Sequence, residues 1–398
     1  WDMVPKGWSK FKVGDIFDVQ LGKMLNQQAK LQSPQYPYLT NFNVRWGSFV
    51  FDDINTMYFS ESEKQKYSLK AGDILMCEGG EVGRCAIWNQ EIDCFYQKAL
   101  HRLRAKEHVS PQYFQFYMES IAGSKTIENL TGKTSISHLT QEKLVSLSIV
   151  LPPIPEQRKI AKILSTWDKT ITTTERLLTN RQQQKKALMQ RLLTGKQRFA
   201  GFEGEWKKYL QGNVATFHNG RAYKLSEWEE TGTPVIRLQN LTGRGSDFYY
   251  SNLALPARQY CESGDLLYMW SATFGPHIWQ GPKAIYHYHI WKIECSVDVL
   301  HKEFMFYVLN FETQRWLSKS NGMGLLHITK ETMEKQTILL PSLKEQQKIA
   351  SVLSATDAEI TTIQNQLDNL KQQKKALMQQ LLTGKRRVKV DSPALAAQ

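Results

Sequence analysis

The chain has 398 residues, of which 41% are hydrophobic and 11% aromatic, and it carries a net charge of +13. This length accommodates about two to three domains with ordinary cores, and the aromatic content excludes a largely disordered chain. No apolar run reaches the roughly 18 residues of a membrane span, and the first residues lack the layout of a signal peptide, so we expect a cytoplasmic protein.

The first predicted element is a module over residues 1–150. Its segment 72–76 (GDILM) is predicted to be a strand that begins just after a turn, and DILMCEGGEVGRCAIW to be two paired strands joined by a glycine-rich loop. A helical pattern follows in SPQYFQFYMESIAG. The module is therefore predicted to be α+β with mixed order.

A long helix is predicted within residues 151–198. Prolines precede it at positions 152, 153 and 155, and Gly195 follows its last apolar residue, where it can take the left-handed conformation that ends helices. Large apolar residues alternate in steps of four and three, which is the pattern of a coiled-coil seam. The helix should cover about 38 residues, or roughly 57 Å at ~1.5 Å per residue. Its seam comprises Ile160, Leu164, Trp167, Ile171, Thr174, Leu178, Arg181, Lys185, Leu188 and Leu192.

Residues 199–339 form a second predicted module, which repeats the skeleton of the first with little shared sequence. Trp206 and Gly220 have the same spacing as Trp8 and Gly22, and the segment 264–270 (GDLLYMW) is again a predicted strand. The helical pattern HKEFMFYVLNFETQRWL follows it. We therefore predict two homologous folds with divergent surfaces.

Residues 340–390 repeat the long helix, and a short tail covers residues 391–398. Residues 151–196 align with residues 340–385 without a gap, at a constant offset of 189, with 28 identities in 46 positions. This match is an internal duplication whose period is too long for a solenoid repeat. The second seam comprises Ile349, Leu353, Thr356, Ile360, Ile363, Leu367, Leu370, Lys374, Leu377 and Leu381.

The two helices are expected to pack against each other in antiparallel orientation, with a pseudo-two-fold axis and one module at each end of the rod. In the alternative, each helix packs only on its own module. Lys185 and Lys374 hold equivalent seam positions, where a charge costs stability but can fix register or meet an external partner. The predicted fold class is α+β, with two homologous mixed modules separated by two long antiparallel coiled-coil helices.

The net charge lies in the repeated helices. Residues 151–198 contain 11 basic and 3 acidic side chains and residues 340–390 contain 9 and 4, whereas the rest of the chain contains 31 of each. A polyanionic partner is the leading explanation. The alternative is a solvated helix face rich in Lys, Arg and Gln.

The chain contains no recognisable catalytic constellation. Residues 132–134 (GKT) end like a phosphate-binding loop but lack its first glycine, and residues 151–154 (LPPI) lack the polar and aromatic residues of an amino-methyltransferase motif. The five cysteines form no CxxC pair, and His287 and His289 have no Cys or acidic partner at metal-ligand spacing. We therefore expect no metal site and no catalysis by this chain alone.

Two divergent modules, each followed by a helix that starts with LPPIPEQ or LPSLKEQ and ends in LLTGK, make up essentially the whole chain. This organisation resembles the specificity subunit of Type I restriction-modification enzymes. The resemblance implies that each module is a target recognition domain and that double-stranded DNA is the partner. It also implies two modification subunits that methylate adenine, and restriction subunits that translocate and cleave DNA. S-adenosylmethionine, ATP and Mg are then expected on those partner subunits.

Two recognition domains joined by helices of fixed length should recognise two short, different DNA half-sites separated by an unread spacer. The centres of the half-sites should lie about one helical turn of DNA apart. Candidate base contacts are polar, aromatic and charged side chains on loops, although each could instead form a surface salt bridge or shape a turn. In the first module they are Glu81 and Arg84 of loop 78–84, with Lys133, Thr134, Ser135 and His138. In the second module they are Arg221, Tyr223, Arg237, Gln239, Asn240 and Arg244, with Ser271 and Thr273 of loop 271–274.

Two other classes of protein stay open at this point. A basic coiled-coil adaptor would hold nucleic acid without reading its sequence, and it would bind all duplexes with one affinity. A nuclease or methyltransferase acting alone is disfavoured by the missing motifs.

Overall fold

The computed structural model describes residues 4–125, 127–128, 138–319 and 328–390. These residues fall into two compact units. Unit 1 comprises the described parts of Trp1–Glu175 and Gln366–Gln398, and unit 2 comprises the described parts of Arg176–Asn365. Each unit contains one module and a part of each long helix.

The module of unit 1 is built from short strands and short helices in mixed order. Its strands are β1 (Ser9–Lys12), β2 (Phe17–Leu21), β3 (Gln35–Leu39), β4 (Val44–Arg45), β5 (Ser48–Phe49), β6 (Asn55–Tyr58), β7 (Ile74–Cys77), β8 (Cys85–Ile87), β9 (Phe95–Tyr96), β10 (Leu100–Ala105) and β11 (Ser148–Leu151). Its helices are α1 (Val13–Ile16), α2 (Gln27–Leu31), α3 (Glu61–Tyr67), α4 (Pro111–Ile121) and α5 (Gln141–Ser146).

A four-stranded antiparallel sheet with the order β2-β10-β7-β8 forms the centre of this module. A three-stranded sheet β6-β3-β9 contains the parallel pair β3 and β9, while β1 pairs with β11 and β4 with β5. The strands at β7 and β8 and the helix α4 confirm the predictions for these segments. Helix α4 begins at Pro111, and the Ser110 side chain accepts a hydrogen bond from the Tyr113 backbone N–H.

Both faces of the central sheet are covered. Every residue of β7 is buried, and alternate residues join different cores, because successive side chains of a strand point to opposite faces. Ile74 and Met76 pack with α4 and the long helices. Leu75 and Cys77 pack with Leu39 and other residues of the second core.

The module of unit 2 repeats this architecture. Its strands are β12 (Lys207–Leu210), β13 (Ala215–Asn219), β14 (Thr233–Ile236), β15 (Tyr249–Ser251), β16 (Tyr260–Cys261), β17 (Leu266–Ser271), β18 (Thr273–Ile278), β19 (Ala284–Tyr286), β20 (Ile290–Cys295) and β21 (Thr337–Leu340). Helices α7 (Gln211–Val214), α8 (Leu238–Thr242), α9 (Lys302–Lys319) and α10 (Lys330–Glu334) accompany them, with two 3₁₀ turns at Leu225–Glu227 and Ala257–Gln259.

Three features of the sheets in unit 1 recur in unit 2, although β16 adds a fourth strand to the sheet that holds the parallel pair. The order β13-β20-β17-β18 matches the central sheet, β14 and β19 form the parallel pair, and β12 pairs with β21. The residues of β17 likewise alternate between two cores. The prediction of two homologous mixed modules is therefore confirmed.

Each long helix covers 39 residues, close to the expected 38, as α6 (Ile154–Leu192) and α11 (Leu343–Leu381). Gly195 and Gly384, beyond their ends, have φ angles of 69° and 71°, as the pattern predicted. Along both seams the apolar side chains are buried or half-buried. The buried ones are Ile160, Leu164, Ile171, Leu178, Leu192, Ile349, Leu353, Ile363, Leu367 and Leu381, and the half-buried ones are Trp167, Leu188, Ile360, Leu370 and Leu377.

Within each unit the two helices pack in antiparallel orientation. In unit 1, Glu175, Asp168 and Glu156 pair with Lys371, Lys374 and Arg387, so residue numbers fall along one helix as they rise along the other. In unit 2, Arg181, Lys185 and Arg198 pair with Glu359, Asp357 and Glu345. The alternative in which each helix packs only on its own module is therefore wrong.

Among the described residues, no helix has the length and apolar character needed to cross a membrane.

Candidate nucleic-acid interface

In each module a glycine allows two backbone segments to cross at very short distance. A Cβ atom on Gly220 would lie 2.2 Å from the carbonyl oxygen of His287, and one on Gly22 would lie 2.3 Å from that of Gln97. These distances are too short for any other residue unless the backbone shifts. Both glycines therefore hold a surface turn tightly against the strand end: residues 97–99 (the module 1 turn) and residues 287–289 (the module 2 turn).

Next to the module 2 turn lies a continuous row of aromatic and cationic side chains, which we call the aromatic belt. The Arg221 guanidinium lies 5.3 Å from the Tyr223 ring centroid, and that ring lies 5.5 Å from Trp228. Trp228 lies 4.6 Å from Tyr249, whose ring is 4.9 Å from the Arg237 guanidinium. Flat aromatic faces with interleaved guanidinium groups favour contact with nucleic acid bases and phosphates.

The module 2 turn extends this surface. Tyr288 is 40% exposed, and its ring lies 3.8 Å from that of His289. The ring of Trp270 lies 5.6 Å from the His289 ring, and the Trp270 indole N–H donates to the Tyr288 carbonyl at 2.9 Å. The turn therefore presents an aromatic and imidazole surface fixed by backbone contacts.

Arg221 of the belt is paired with a carboxylate, and the neighbouring His287 is neutral near pH 7. Arg221 makes two hydrogen bonds with Glu227, at 2.6 and 3.0 Å, which raise the pKa of Arg221 and lower that of Glu227. Burial, with the neighbouring His289 and Arg237, lowers the pKa of His287 to about 4. His287 is therefore neutral near pH 7, so its ring offers one hydrogen-bond donor and one acceptor.

In module 1 the corresponding basic residue is Lys23. Its Nζ donates to Glu63 at 2.6 Å and to the Tyr58 carbonyl at 2.7 Å. Glu63 also accepts a hydrogen bond from the Ser60 backbone N–H, and Glu227 accepts one from the Lys224 backbone N–H. Ser60 and Lys224 each precede the helical turn that holds the glutamate. The same cation and carboxylate arrangement thus stands beside the turn in both modules.

The predicted pair Glu81 and Arg84 lies at a polar cluster of module 1. The Arg84 guanidinium bonds Glu81 at 3.0 Å and the Asn41 carbonyl at 2.8 Å, while the Trp46 indole N–H donates to Glu81 at 2.6 Å. These bonds hold loop 78–84 in shape, which is the salt-bridge alternative considered for these residues. His138 is exposed, whereas Lys133, Thr134 and Ser135 lie outside the described residues.

The predicted residues of module 2 lie in different surroundings. Arg221 and Tyr223, which are two residues apart, come together with the more distant Arg237 in the aromatic belt. The Asn240 side chain accepts from the Arg237 N–H and donates to the Gly245 and Asp247 carbonyls, so it shapes its loop. Placement of the remaining predicted residues is simple: Gln239 and Thr273 are half-buried, Arg244 is exposed and Ser271 is buried beside the β17–β18 turn.

Sequence reasoning missed Trp228, Tyr249 and Tyr288 as parts of this surface. They lie on three separate segments that come together through backbone pairing. Glu229, next to Trp228, bridges Tyr250 of β15, β15 pairs with β14, and β14 pairs with β19 beside the module 2 turn. The sequence YHYH at residues 286–289 is a signal for this surface, since its histidines fit a strand or a binding surface better than a metal site.

The helix cations also divide into two groups. Those at the seam and helix ends form the ion pairs described above. Other cations are exposed and form no ion pair with a described residue, which leaves them available to a polyanion. These are Arg158, Lys159, Lys162, Lys169, Arg176, Lys186 and Arg191 on α6, and Lys344, Lys348 and Lys375 on α11.

The described residues contain no group of three or more His, Cys, Asp and Glu side chains that could hold a metal ion. The cysteines are free thiols, and burial raises the pKa of Cys94 and Cys261 to about 12. Their chemistry is that of inert core residues.

The fold defines a class of protein with two homologous α+β modules, each packed on a pair of long basic helices. The family model described as Type I restriction modification DNA specificity domain matches residues 5–180 and again residues 203–372. The chain belongs to this family.

The similarity to one relative and to one solved structure extends over nearly the full length of the chain, and the similarity to another relative over less than half of it. The Type I restriction enzyme MjaVIII specificity subunit of Methanocaldococcus jannaschii is 25% identical, with 97% of this chain and 94% of the relative covered. The EcoBI specificity subunit of Escherichia coli is 26% identical over 44% of this chain and 38% of its own length. The structure of the S subunit of the Type I restriction-modification system from M. genitalium has a TM-score of 0.61 at 16% identity, covering 95% of this chain and 99% of that one.

Proposed function

We propose that this chain is the sequence-specific DNA-binding subunit of a Type I restriction-modification complex. Each module reads one half of an asymmetric bipartite DNA site. The main support is that the two modules share one fold but differ in their exposed residues. Two such modules can each recognise a different DNA sequence. The specificity subunits among the relatives support the same function.

The helices have two further roles in this proposal. Their length sets the unread spacer between the half-sites, and they dock the modification subunits, through which the restriction subunits join. The exposed cations of α6 and α11 support contact with the phosphate backbone, since neutralised phosphates release counterions and strengthen binding. Catalysis, with S-adenosylmethionine, ATP and Mg, belongs to the partner subunits, and the complex acts on DNA in the cytoplasm.

Exchanging one module tests this proposal. Residues 1–150 are replaced by the equivalent module of a relative, and methylated adenines are mapped by sequencing in cells that carry the complete complex. One half-site should change, and the other half-site and the spacer should stay the same. A change in both half-sites contradicts the modular function, and equal binding to all duplexes would favour the non-specific adaptor instead.

A further inference from the structure

The module 1 turn and the module 2 turn are held by the same backbone framework. Six hydrogen bonds fix each turn, and every bond in one module has its counterpart in the other. In module 1 the bonds run from N–H to carbonyl as Gly22 to Leu100, Lys23 to Tyr96, Gln97 to Leu39, Lys98 to Lys23, Leu100 to Gln97 and Glu78 to Ala99. In module 2 they run as Gly220 to Ile290, Arg221 to Tyr286, His287 to Ile236, Tyr288 to Arg221, Ile290 to His287 and Trp270 to His289.

The residues that support the two turns are also alike. Tyr96 and Tyr286, which precede the turns, have exposed fractions of 0% and 1%, and Leu100 and Ile290, which follow them, are both at 0%. The crossing glycine described above is present in both modules. The two turns therefore have the same backbone hydrogen bonds and are flanked by equally buried residues.

The side chains of the turns are entirely different. Gln97, Lys98 and Ala99 stand where module 2 has His287, Tyr288 and His289, and in both turns the middle residue is exposed between two half-buried ones. Two modules that recognise different DNA sequences can share one rigid backbone framework, because only the exposed side chains have to differ between them.

The chemistry of these side chains suits base edges. The Gln97 amide carries a donor and an acceptor, which match adenine, and Lys98 carries donors only, which match the acceptors of guanine. The neutral His287 ring offers a donor and an acceptor, and Tyr288 adds a hydroxyl and an exposed ring. In module 2 the turn continues through Arg221 into the aromatic belt.

We propose that residues 97–99 and 287–289 are specificity-determining residues, which select the bases of the half-site that each module reads. This inference rests on the proposed function. It assigns base discrimination to the turns and leaves loop 78–84 a supporting role, since Glu81 and Arg84 are bonded to each other.

Grafting one turn onto the other module tests the assignment. The full chain carrying His287→Gln, Tyr288→Lys and His289→Ala is assembled with its modification subunits and selected against duplexes with two randomised segments. Half-site 2 should change at one or more positions, with affinity for the original duplex lower by roughly tenfold to a hundredfold. Half-site 1 should remain. The reciprocal graft of Gln97→His, Lys98→Tyr and Ala99→His should change half-site 1 alone.

The matched control is Lys208→Ala, an exposed lysine on β12 of the same module. Losing a cation there leaves the selected sequence unchanged. If the triple variant melts below the wild type, Tyr288→Lys alone replaces it, because this side chain is already 40% exposed.

The outcomes separate this inference from the proposed function. If the wild type selects two half-sites and the grafts select the same two, the turns do not read bases and only this inference fails. If one graft alters both half-sites in a folded protein, this inference fails together with the assignment of one half-site to each module. If the wild type selects no sequence, the proposed function fails and this inference fails with it.

Discussion

His101 shows how one buried side chain links the stability of unit 1 to pH. It lies on the central strand β10 with an exposed fraction of 0%, and its Nε2 lies 2.8 Å from the Leu139 carbonyl oxygen. The Nδ1 atom is buried and has no hydrogen-bond partner among the described residues. Burial lowers the pKa of His101 below its ordinary value of 6.5, against the smaller opposing effects of this hydrogen bond and Glu78.

Because the folded pKa lies below the unfolded one, the neutral ring contributes stability that is fully present above pH 6.5. This contribution falls as pH drops from 6.5 towards the folded pKa, since the unfolded chain gains a proton first. His101→Gln should therefore flatten the decline in melting temperature between about pH 7 and pH 5. Equal pH slopes in the wild type and the variant would show that His101 does not carry this linkage.

Residue identity alone indicated some members of the candidate surface. Arg221, Tyr223 and Arg237 were predicted because their side chains are typical of DNA contacts. Trp228, Tyr249 and the turns were not, because a side chain's neighbours across a sheet depend on strand pairing rather than on local sequence. Whether any of these residues touches DNA remains a prediction.

At the scale of elements, the seam lysines attach each module to the helix pair. Lys374 Nζ lies 2.6 Å from Asp168 on α6 and 3.0 Å from Glu119 on α4, with the Phe116 ring centroid at 5.3 Å. In unit 2 the equivalent Lys185 pairs with Asp357, which also accepts a hydrogen bond from Tyr307 on α9. Asp168 and Asp357, like the two lysines, differ by the repeat offset of 189.

Lys374→Met should therefore destabilise unit 1 by about 1–3 kcal/mol, because it leaves two partly buried carboxylates close together without a cation. The matched control is Lys371→Met, one turn earlier, whose ion pair with Glu175 is exposed on both sides at 51% and 45%. That change should cost less than about 1 kcal/mol. Denaturant unfolding of both variants measures the two changes in unfolding free energy. Equal losses would show that Lys374 has no special role in stability.

The helices were the most predictable elements. Their period, the preceding prolines and the final glycines are local signals, so the sequence predicted their length to within one residue. The two seam lysines were identified as unusual, but the module residues that they contact, Glu119 with Lys374 and the Tyr307 ring at 5.7 Å from Lys185, were not predicted. The residue pattern of a helix does not predict its contacts with residues of the modules.

At the scale of the whole molecule, the helices should act as the spacer. Inserting one heptad in the middle of both α6 and α11 preserves the phase of the two seams and adds about 10 Å at ~1.5 Å per residue. The unread spacer in the mapped methylation sites should lengthen by roughly three base pairs of ~3.4 Å, with both half-sites retained. Insertions of three residues break the phase and should instead reduce stability. An unchanged spacer in a folded, sequence-specific heptad variant would contradict this role.

The sequence by itself determined the repeated organisation, the α+β modules, the long helices, the location of the charge and the family. These depend on periodicity, composition and internal identity, which are local or can be counted along the chain. Only the tertiary structure decided the antiparallel packing within each unit, the crossing glycines, the aromatic belt and the equivalence of the two turns. These features depend on contacts between residues far apart in sequence, which sheet topology selects and no local pattern specifies.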